Sequence, residues 1–374
     1  MNRLKHVFAL VPDCQTPPNY LHLAWRRHFY EGLRPHVETL VIPHELDFRW
    51  ARQGHGIDLA PFAAERGRCS EQLLERIKAA HQRQGLDAVL TYCFAFDLEL
   101  EVVQETIKLG VPWINFFCDS THMFEKVEPL ARLVSLNWFP ESAALPSYQS
   151  LGVPFLCAPY AWSPEWLPDL TNRSVAREVA FIGFPSSNRI TQLGLLRWRG
   201  CPVHVRGRGW VDAAHPPFHN PIPLRKRLRS ALAAPHLLEK VLRRLVWPSV
   251  RALASGPLKD EEFGEYVRES LILLGLNQGR DARGNLVSYL KFRDMEFPGY
   301  GCCYLTEHNE DIPRVFEVGE EILTFQSIAE AAAQIRRLRR DPGLARRLGA
   351  AGRRRVLDEH HWGVRLRQLA ERLG

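Results

Sequence analysis

The chain has 374 residues, of which 45% are hydrophobic and 24% are charged, proportions that predict a soluble globular protein. This length predicts two domains rather than one. No apolar run approaches the roughly 18 residues that a membrane-spanning helix requires, so no such helix is predicted. The eight cysteines form no CxxC pair and no zinc-like cluster with histidine, so we expect free thiols, a cytoplasmic location and no bound metal.

The net charge of +7 is unevenly placed along the chain. The stretch 215–256 contains eight lysines and arginines and a single acid, Glu239, so it alone carries a charge of +7. The remainder sums to about zero, although the C-terminal end is rich in arginine. Because the protein is not uniformly basic, we expect no nucleic-acid partner.

Short apolar runs alternate with helical patterns through the first half of the chain. The apolar runs, which predict strands, lie at 6–12, 37–43, 87–95, 111–119 and 132–139. Helical patterns lie at 21–33 and at 69–85, where Ser70 is the expected N-cap and Gly85 the stop. Strands that alternate with helices predict right-handed βαβ units and a parallel sheet. We therefore predict an N-terminal Rossmann-like domain over 1–160.

Prolines interrupt this alternation at 155–172 and predict a linker over 161–176. Beyond the linker the pattern restarts, which predicts a second Rossmann-like domain over 177–355. Its apolar runs lie at 178–184, 202–210, 269–277 and 320–325. Two domains of this class usually leave a cleft in which ligands bind. A C-terminal helix over 356–374 is expected to cross back to the first domain.

A basic helical insertion at 212–256 interrupts the second domain. Its apolar residues repeat at positions 237, 238, 241, 242, 245 and 246, with Lys240, Arg243 and Arg244 on the opposite face. Two interpretations stay open. Either the stripe packs on the domain and leaves the cations in solvent, or residues 224–251 dock on an anionic membrane surface or partner with Trp247 at the interface.

Several nucleotide-binding and metal-binding motifs are missing. The sequence has no GxxxxGK[ST] loop, no GxGxxG after a strand, no HExxH and no Asp-x-Asp. A P-loop nucleotidase, a dinucleotide-binding domain and a zinc hydrolase are therefore disfavoured. Because sugar transferases that hold a diphosphate through a metal usually carry Asp-x-Asp, we expect chemistry without a metal or another cofactor.

Two strand-to-loop junctions of the second domain carry polar residues. The run FIGFPSSNR places Gly183, Asn188 and Arg189 between a strand and a helix, where backbone N–H groups and an arginine can bind an anion. At the end of the next strand, Arg206 and Arg208 flank a glycine. Glycine and serine also occur at such junctions as helix caps, and the two arginines could lie in a solvated turn. For each junction, the anion-binding and the purely structural interpretation therefore stay open.

The run FRDMEFPGYG places Arg293 and Glu296 three residues apart, just before Gly299 and Gly301. A carboxylate at a helix N-terminus is held ionised by the helix dipole, and there it can accept both hydroxyls of a ribose. The glycines would let the helix approach a ligand closely, and Arg293 would lie near a phosphate. The alternative is a surface ion pair followed by a turn.

From residue 271 onward the chain resembles the CgeB-like (spore maturation protein) glycosyltransferases, of the glycosyl transferases group 1 type. The resemblance rests on LILLGLN at 271–277, R-x-x-E-x-x-x-x-G at 293–301, FEVGEEILTF at 316–325 and HHWGVR at 360–365. It implies the GT-B fold, an α/β fold of two Rossmann-like domains whose parallel sheets face each other across a cleft. It also implies sugar transfer from a nucleotide-sugar donor to a glycan, lipid-linked or protein acceptor.

The same resemblance implies roles for particular residues. It assigns Glu296 to the donor ribose, Arg293 to the diphosphate, and Gly299 and Gly301 to the backbone beside the nucleotide. The loop at 183–189 would be a further diphosphate contact. Arg206 and Arg208 are additional candidates for stabilising the charge of the leaving group.

One position departs from the family pattern. Many retaining relatives carry a glutamate seven residues before the ribose-binding one, and Tyr289 stands there in this chain. Recognition of the sugar by that glutamate is therefore not implied. If the acceptor needs a base from the first domain, Asp119 and His122, at the end of a predicted strand, are the candidates. The alternative roles are a helix cap for Asp119 and a polar surface position for His122.

Two other functions on the same fold stay open. One is a non-catalytic nucleotide- or sugar-binding protein of spore or surface assembly, and the other is a UDP-sugar epimerase. The expected location is the cytoplasm, with the protein peripheral at the inner membrane face if the basic helix binds lipid.

Overall fold

A computed structural model describes residues 4–12, 25–51, 58–163, 175–211, 234–280 and 286–374. Most of the predicted linker and the first part of the predicted insertion lie outside these residues. The chain divides into two compact units. Unit 1 consists of Met1–Trp166, Gly279–Met295 and Val356–Gly374, and unit 2 consists of Leu167–Gln278 and Glu296–Arg355. The segment Gly279–Met295, which the sequence places in the second domain, therefore belongs to unit 1.

The core of unit 1 is a parallel sheet of six strands in the order β2-β1-β3-β4-β5-β6. The strands are β1 (His6–Leu10), β2 (Thr39–Val41), β3 (Ala88–Thr91), β4 (Trp113–Phe116), β5 (Leu136–Phe139) and β6 (Phe155–Cys157). Every residue of β3, β4 and β5 is buried. Such uninterrupted burial is expected of a parallel sheet that is covered on both faces, so the apolar runs fold as predicted.

Helices cover this sheet. They are α1 (Ala63–Gln84), α2 (Glu101–Lys108), α3 (Ser120–Ala131), α4 (Leu145–Leu151) and, near the C-terminus, α12 (Trp362–Leu373). Short turns of 3-10 or π helix lie at Arg27–Glu31, Arg34–His36, Ala60–Phe62 and Ser142–Ala144. The prediction that Ser70 caps the helix is wrong. Ser70 is buried within α1, and its hydroxyl accepts the Glu99 N–H at 2.9 Å. The helix ends at Gly85, as predicted.

Unit 2 is built on a second parallel sheet of six strands. The strands are β7 (Arg177–Ile182), β8 (His204–Arg206), β9 (Ala254–Ser255), β10 (Ser270–Gly275), β13 (Cys303–Glu307) and β14 (Leu323–Phe325). Their order is β14-β13-β10-β7-β8-β9, which is the Rossmann order with the topological switch point between β7 and β10. A two-stranded antiparallel hairpin, β11 (Gly279–Arg280) and β12 (Leu286–Val287), belongs to unit 1.

The remaining helices belong mainly to unit 2. They are α5 (Ser187–Trp198), α6 (Ala234–Arg251), α7 (Asp260–Arg268), α8 (Arg293–Gly299), α9 (Ile312–Val315), α10 (Ile328–Arg340) and α11 (Pro342–Glu359). Helix α8 begins in unit 1 and helix α11 ends there. No helix in the described part of the chain is long and apolar enough to cross a membrane.

Helix α6, which lies within the predicted basic insertion, packs on α5. A Cβ atom added to Gly194 of α5 would lie 2.2 Å from the Cβ of Val246, so only glycine permits this approach. Val246, Trp247 and Val250 join the core of unit 2, and the Trp247 ring stacks on Trp210. The prediction that Trp247 lies at a membrane interface is therefore wrong, because its side chain fills the core.

The predicted apolar stripe of α6 is divided between core and surface. Leu242 packs against the core, whereas Val241 is 46% exposed and Leu245 is 63% exposed. Lys240 and Arg244, beside them on the helix, are also exposed. The helix thus buries one face in unit 2 and carries a second, mixed apolar and cationic face.

Candidate functional site

In unit 2 the loops that follow β7 and β8 are fixed against each other by backbone contacts. The Gly183 N–H donates to the Arg206 carbonyl at 2.9 Å, and the Gly183 carbonyl accepts the Trp210 indole N–H at 2.7 Å. A Cβ atom added to Gly207 would lie 2.2 Å from that carbonyl oxygen. Gly183 therefore lies in a rigid turn at the switch point, where ligands bind in sheets of this order.

Helix α5 begins immediately after this turn. The Ser186 hydroxyl caps the helix by accepting the Arg189 N–H at 3.2 Å. The Arg189 guanidinium donates to the carbonyls of Phe184 at 2.8 Å and Leu276 at 3.0 Å. Arg189 thus ties the loop after β7 to the loop after β10 and leaves its positive charge at the carboxyl ends of both strands.

The loop after β10 has two further attachments. The Asn188 side chain donates to the Gln278 side chain at 2.8 Å. The Glu307 carboxylate, at the end of β13, accepts the N–H groups of Asn277 and Gln278, the latter at 2.6 Å, and the Gln192 amide at 2.6 Å. Burial raises the pKa of Glu307, while these donors act in the opposite direction. Glu307 was not predicted from the sequence, because a single acid at a strand end matches no motif.

Arg206 and Arg208 differ in their surroundings. Arg206 ends β8, lies 3.6 Å from the Glu262 carboxylate and 5.5 Å from the centroid of the Tyr266 ring, and lines a cavity of about 430 Å³. Arg208 is exposed. Of the two predicted diphosphate contacts, Arg206 therefore already has an acidic partner within unit 2.

Helix α8 carries Arg293 as its first residue and Glu296 as its fourth. Glu296 is buried, with 5% of its surface exposed, and Arg293 is half-buried. The buried Asp294 carboxylate accepts the Lys291 N–H and so closes the turn that leads into the helix. Glu296 thus lies at the midpoint of this seven-residue helix, about one turn beyond the N-terminus at which the ribose hypothesis places a carboxylate.

Of the two glycines at the end of α8, Gly301 has a structural reason of its own. Gly299 is the last residue of the helix, and Gly301, with φ 77°, donates its N–H to the Pro298 carbonyl at 2.7 Å. A Cβ atom added to Gly349 of α11 would lie 2.3 Å from the Gly301 carbonyl oxygen. This turn therefore needs glycine for its left-handed backbone, whether or not a ligand approaches it.

In unit 1, Asp119 stands between β4 and α3 with φ 80°, and no other non-glycine residue of the described chain has a positive φ. It occupies the N-cap position, yet its side chain makes no capping hydrogen bond. Glu141, which follows β5, accepts the N–H groups of Asp119 at 2.5 Å and Thr121 at 2.7 Å instead. The capping alternative for Asp119 is therefore wrong.

The Asp119 side chain faces residues from a distant part of the sequence. Its Oδ1 atom accepts from Lys291 Nζ at 2.7 Å and from the Tyr289 hydroxyl at 3.0 Å. The same hydroxyl lies 2.9 Å from His122 Nδ1, and Lys291 Nζ lies 3.5 Å from the centroid of the Tyr289 ring. We call these four residues the polar cluster. It brings the two catalytic candidates, Asp119 and His122, together through Tyr289.

The charges in the polar cluster follow from burial and from Lys291. Burial alone would raise the pKa of Asp119, but the Lys291 ammonium group holds that pKa below its usual value. Burial, together with the Asp119 charge, raises the pKa of Tyr289 far above its usual range. Burial also raises the pKa of Glu141 to about 7, and the Asp119 charge adds to the rise. At neutral pH, an ionised Asp119 thus faces a protonated Tyr289.

Sequence reasoning missed Lys291 and Glu141 and treated Tyr289 only as a departure from the family pattern. Glu141 had a signal, since an acid that directly follows a predicted strand lies at the same sheet edge as Asp119. Lys291 and Tyr289 had none, because they reach Asp119 from far along the chain. Within the described ranges, no three His, Cys, Asp or Glu side chains form a group suited to a metal ion.

Two Rossmann-like parallel sheets in one chain define the fold class, and solved structures share it. Sucrose-phosphate synthase from Thermosynechococcus elongatus is 14% identical with a TM-score of 0.59, covering 98% of both chains. HepE of Anabaena, in complex with UDP and glucose, is 11% identical with a TM-score of 0.54, again covering 98% of both. A glycosyltransferase from Rickettsia africae is 10% identical with a TM-score of 0.54, covering 100% of this chain and 98% of its own. The predicted GT-B fold is confirmed.

Sequence comparison gives a more specific result for part of the chain. The model of a family described as glycosyl transferase-like matches residues 193–371, just under half of the chain. The matched segment includes α8 with Glu296 and most of α12. No curated protein matches the chain in sequence. The narrower likeness to the CgeB-like group stays a prediction.

Proposed function

We propose that this chain is a glycosyltransferase of the CgeB-like group. It moves a sugar from a nucleotide-sugar donor to a glycan, lipid-linked or protein acceptor, without a metal or another cofactor. The observation that carries this proposal is the match of the glycosyl transferase-like family over residues 193–371. The GT-B fold of HepE, a protein seen in complex with UDP and glucose, supports it.

Donor binding is assigned to unit 2. Glu296 accepts the ribose hydroxyls from the middle of α8, about one turn after the helix begins. Gly183, Asn188 and Arg189 receive the diphosphate at the switch point of the sheet. The Ser186 cap and the two carbonyl contacts of Arg189 hold this loop in place before the donor arrives, so that little reorganisation is needed on binding.

The departing nucleoside diphosphate gains negative charge during transfer, and that charge must be stabilised. Because the sequence lacks the metal-holding Asp-x-Asp motif, arginines take this role. Arg189 and Arg293 are the first candidates. Arg206 and Arg208 add positive charge after β8, although Arg206 must first loosen its contact with Glu262 at 3.6 Å.

Removal of the acceptor's proton is assigned to unit 1. Asp119 and His122 belong to one hydrogen-bonded cluster, and Asp119 is ionised beside Lys291. A histidine has the pKa that general base catalysis needs near neutral pH. We therefore assign proton removal to His122, with Asp119 as its charged support.

Nucleotide binding tests the donor assignment. Titration calorimetry with UDP, GDP, TDP and ADP is expected to find one nucleotide that binds, and Glu296→Ala should weaken that binding at least tenfold because the ribose loses its acceptor. Glu320→Ala, which removes an exposed carboxylate from the same unit, is the matched control and should bind like the wild type. If the wild type binds none of the four, the transferase proposal fails.

Turnover separates transfer from the other functions of this fold. The nucleotide that binds is offered as UDP-, GDP-, TDP- or ADP-sugars, with and without membrane and glycan extracts as acceptors. Transfer in the presence of extract supports the proposal. Nucleotide binding without any turnover indicates a silent binding protein, and an altered UDP-sugar without acceptor indicates an epimerase.

We also propose that α6 holds the protein at the inner face of an anionic membrane. Val241 and Leu245 are exposed apolar side chains, and Lys240 and Arg244 add positive charge beside them, which together suit an anionic lipid surface. A cytoplasmic location is supported by the described cysteines, which are all free.

Flotation with anionic and with neutral vesicles tests this surface. Lys240→Glu with Arg244→Glu should abolish flotation with anionic vesicles, since each cation near such a surface contributes about 1 kcal/mol. Arg243 is left unchanged because it donates to the Ser187 hydroxyl at the start of α5. The control is Lys78→Glu with Lys108→Glu in unit 1, which makes the same change in net charge. Equal flotation of both double variants would remove α6 from membrane binding.

A further inference from the structure

We propose that Tyr289 and Lys291 are positioning residues that hold His122 as its Nδ1-protonated tautomer, so that Nε2 is the atom that takes the acceptor's proton. The catalytic step in this statement rests on the proposed function. The tautomer itself does not, because it follows from the hydrogen bonds of the polar cluster.

Counting protons in the cluster leaves one arrangement. Asp119 is paired with the Lys291 ammonium group at 2.7 Å and is ionised, so its Oδ1 atom can only accept. The single proton of the Tyr289 hydroxyl must therefore point to Oδ1, 3.0 Å away. The Tyr289 oxygen then has only lone pairs for His122 Nδ1, which lies at 2.9 Å. A neutral His122 must donate Nδ1–H, which leaves the lone pair of the ring on Nε2.

Lys291 maintains this order of donors and acceptors. If Asp119 were neutral, it could donate to Tyr289, and Tyr289 could then donate to Nδ1, which would give the opposite tautomer. The Lys291 ammonium group prevents this because it favours the ionised carboxylate. Two groups thus set the tautomer of His122. The Tyr289 hydroxyl accepts the Nδ1–H hydrogen bond, and the charge of Lys291 keeps Asp119 ionised so that this hydroxyl donates to Asp119.

The segment that carries both residues is firmly anchored in unit 1. Leu290, between them, is fully buried, and its carbonyl accepts from the Tyr160 hydroxyl at 3.5 Å. The ring of Phe292, which follows Lys291, packs against two aromatic rings. Its centroid lies 4.4 Å from that of His28 and 5.6 Å from that of Tyr160. Tyr289 and Lys291 therefore flank a buried residue in the sequence, and its packing fixes the backbone of both. A positioning residue needs such a fixed backbone.

The chemical step balances without a further reactant. The acceptor hydroxyl gives its proton to His122 Nε2, and its oxygen forms the new bond to the anomeric carbon of the donor sugar. The bond from that carbon to the diphosphate breaks, and the nucleoside diphosphate leaves with the electron pair. His122 becomes the imidazolium, which donates at both nitrogens, and the ionised Asp119 stabilises it through Tyr289.

The tautomer is measured directly on the full chain labelled with ¹⁵N-histidine. Long-range ¹H–¹⁵N spectra at pH 8 distinguish a protonated from an unprotonated ring nitrogen, and His122→Gln identifies the His122 signals by their loss. The wild type is expected to show Nδ1 protonated and Nε2 unprotonated. In Tyr289→Phe the acceptor for Nδ1–H is lost, so the protonated nitrogen should become Nε2.

Two further variants keep the test decisive. Asp119→Asn combined with Lys291→Met can donate to Tyr289, because no ammonium group then holds the amide oxygen at that position. This double variant should reverse the tautomer while Tyr289 stays in place, which covers the case that Tyr289→Phe does not fold. Tyr148→Phe removes another buried hydroxyl near α3, one that lies 3.0 Å from the Ser120 hydroxyl, and should leave the His122 signals unchanged. A wild type with Nε2 protonated overturns the proposal. So does a tautomer that survives both Tyr289→Phe and the double variant of Asp119→Asn with Lys291→Met.

Kinetics provide the second readout once a donor and an acceptor are known. Tyr289→Phe should lower kcat by about 10²- to 10⁴-fold with little change in KM, the loss expected when a base is held in the wrong tautomer. Lys291→Met should lower kcat as well, whereas Lys108→Met, which breaks a surface pair of the same 2.7 Å length with Glu105, should not. Transfer by an enzyme with Nε2 protonated would overturn the tautomer assignment and leave the transferase function intact.

Discussion

Glu141 in unit 1 and Glu307 in unit 2 are attached to their surroundings in the same way. Each lies at or just beyond the carboxyl end of a parallel strand, β5 or β13. Each accepts two backbone N–H groups from the loop that follows the neighbouring strand. A buried carboxylate thus fixes a loop at the functional edge of both sheets, where polar backbone groups would otherwise lose their partners.

The two carboxylates differ in the charge next to them. Glu141 lies beside the ionised Asp119, which adds to the rise of its pKa, whereas Glu307 has the cation Arg189 nearby, which acts against the rise. In unit 1 the buried carboxylate thus has a second acid beside it, Asp119, whose partner is Lys291 at 2.7 Å, whereas in unit 2 it has the cation Arg189 nearby. This difference matches the roles we propose, proton removal in unit 1 and binding of an anionic diphosphate in unit 2.

Removal of Glu307 should have the largest effect on stability. Glu307→Ala leaves the N–H groups of Asn277 and Gln278 and the Gln192 amide without their acceptor, at a cost of about 4 kcal/mol in the free energy of unfolding. Denaturant unfolding at pH 7.5, followed by tryptophan fluorescence, measures it. Glu310→Ala removes an exposed carboxylate three residues along and should cost almost nothing. If Glu307→Ala lowers the free energy of unfolding by less than about 1 kcal/mol, the loop after β10 does not depend on this carboxylate.

Glu141 should make stability depend on pH near neutrality. Its pKa in the folded chain is about 7, above the ordinary 4.5, so folding favours the protonated form. The resulting stabilisation is fully present below about pH 4.5 and is lost as the pH rises through 7. Over that interval it amounts to roughly 3 kcal/mol. The free energy of unfolding of the wild type, relative to Glu141→Gln, should therefore fall between pH 5 and pH 8.

Asp119→Asn sharpens this measurement. It removes the charge that helps to raise the Glu141 pKa, so the fall in stability should move to lower pH. The Asp119 carboxylate itself contributes in the opposite sense, because its lowered pKa costs stability only as the pH falls below its ordinary 3.8. A difference between the wild type and Glu141→Gln that stays constant from pH 5 to pH 8 would contradict the assignment.

Much of the fold was predictable because the burial of whole strands leaves a strong pattern. The run VPWINFFCD folds as β4 with every residue from Trp113 to Phe116 buried, and the run FRDMEFPGYG forms a helix that contains Glu296, as predicted. Strand order was not predictable, since it depends on pairings between residues far apart in the sequence. The polar cluster had the same difficulty, because Lys291 and Asp119 meet only in the folded chain.

The basic helix shows how a clear pattern can identify the buried face only in part. Positions 241 and 245 continue the apolar stripe of α6, yet Val241 and Leu245 are exposed while Trp247 and Val250 are buried. The neighbouring residues determine which face of α6 is buried. Gly194 leaves room for Val246, and the Trp247 ring stacks on Trp210. Periodicity identified the helix but could not identify its neighbour.

The C-terminal helix has a consequence for the order in which the chain folds during synthesis. Within unit 1, the Trp362 indole donates to the His28 carbonyl, Arg365 Nε donates to the Pro159 carbonyl at 2.8 Å, and the Trp162 N–H donates to the His360 carbonyl at 2.8 Å. The early part of unit 1 is therefore completed by partners that are synthesised after all of unit 2. All strands of unit 2 are synthesised before the C-terminal residues that complete unit 1. During translation, unit 2 is therefore expected to fold before unit 1 is complete.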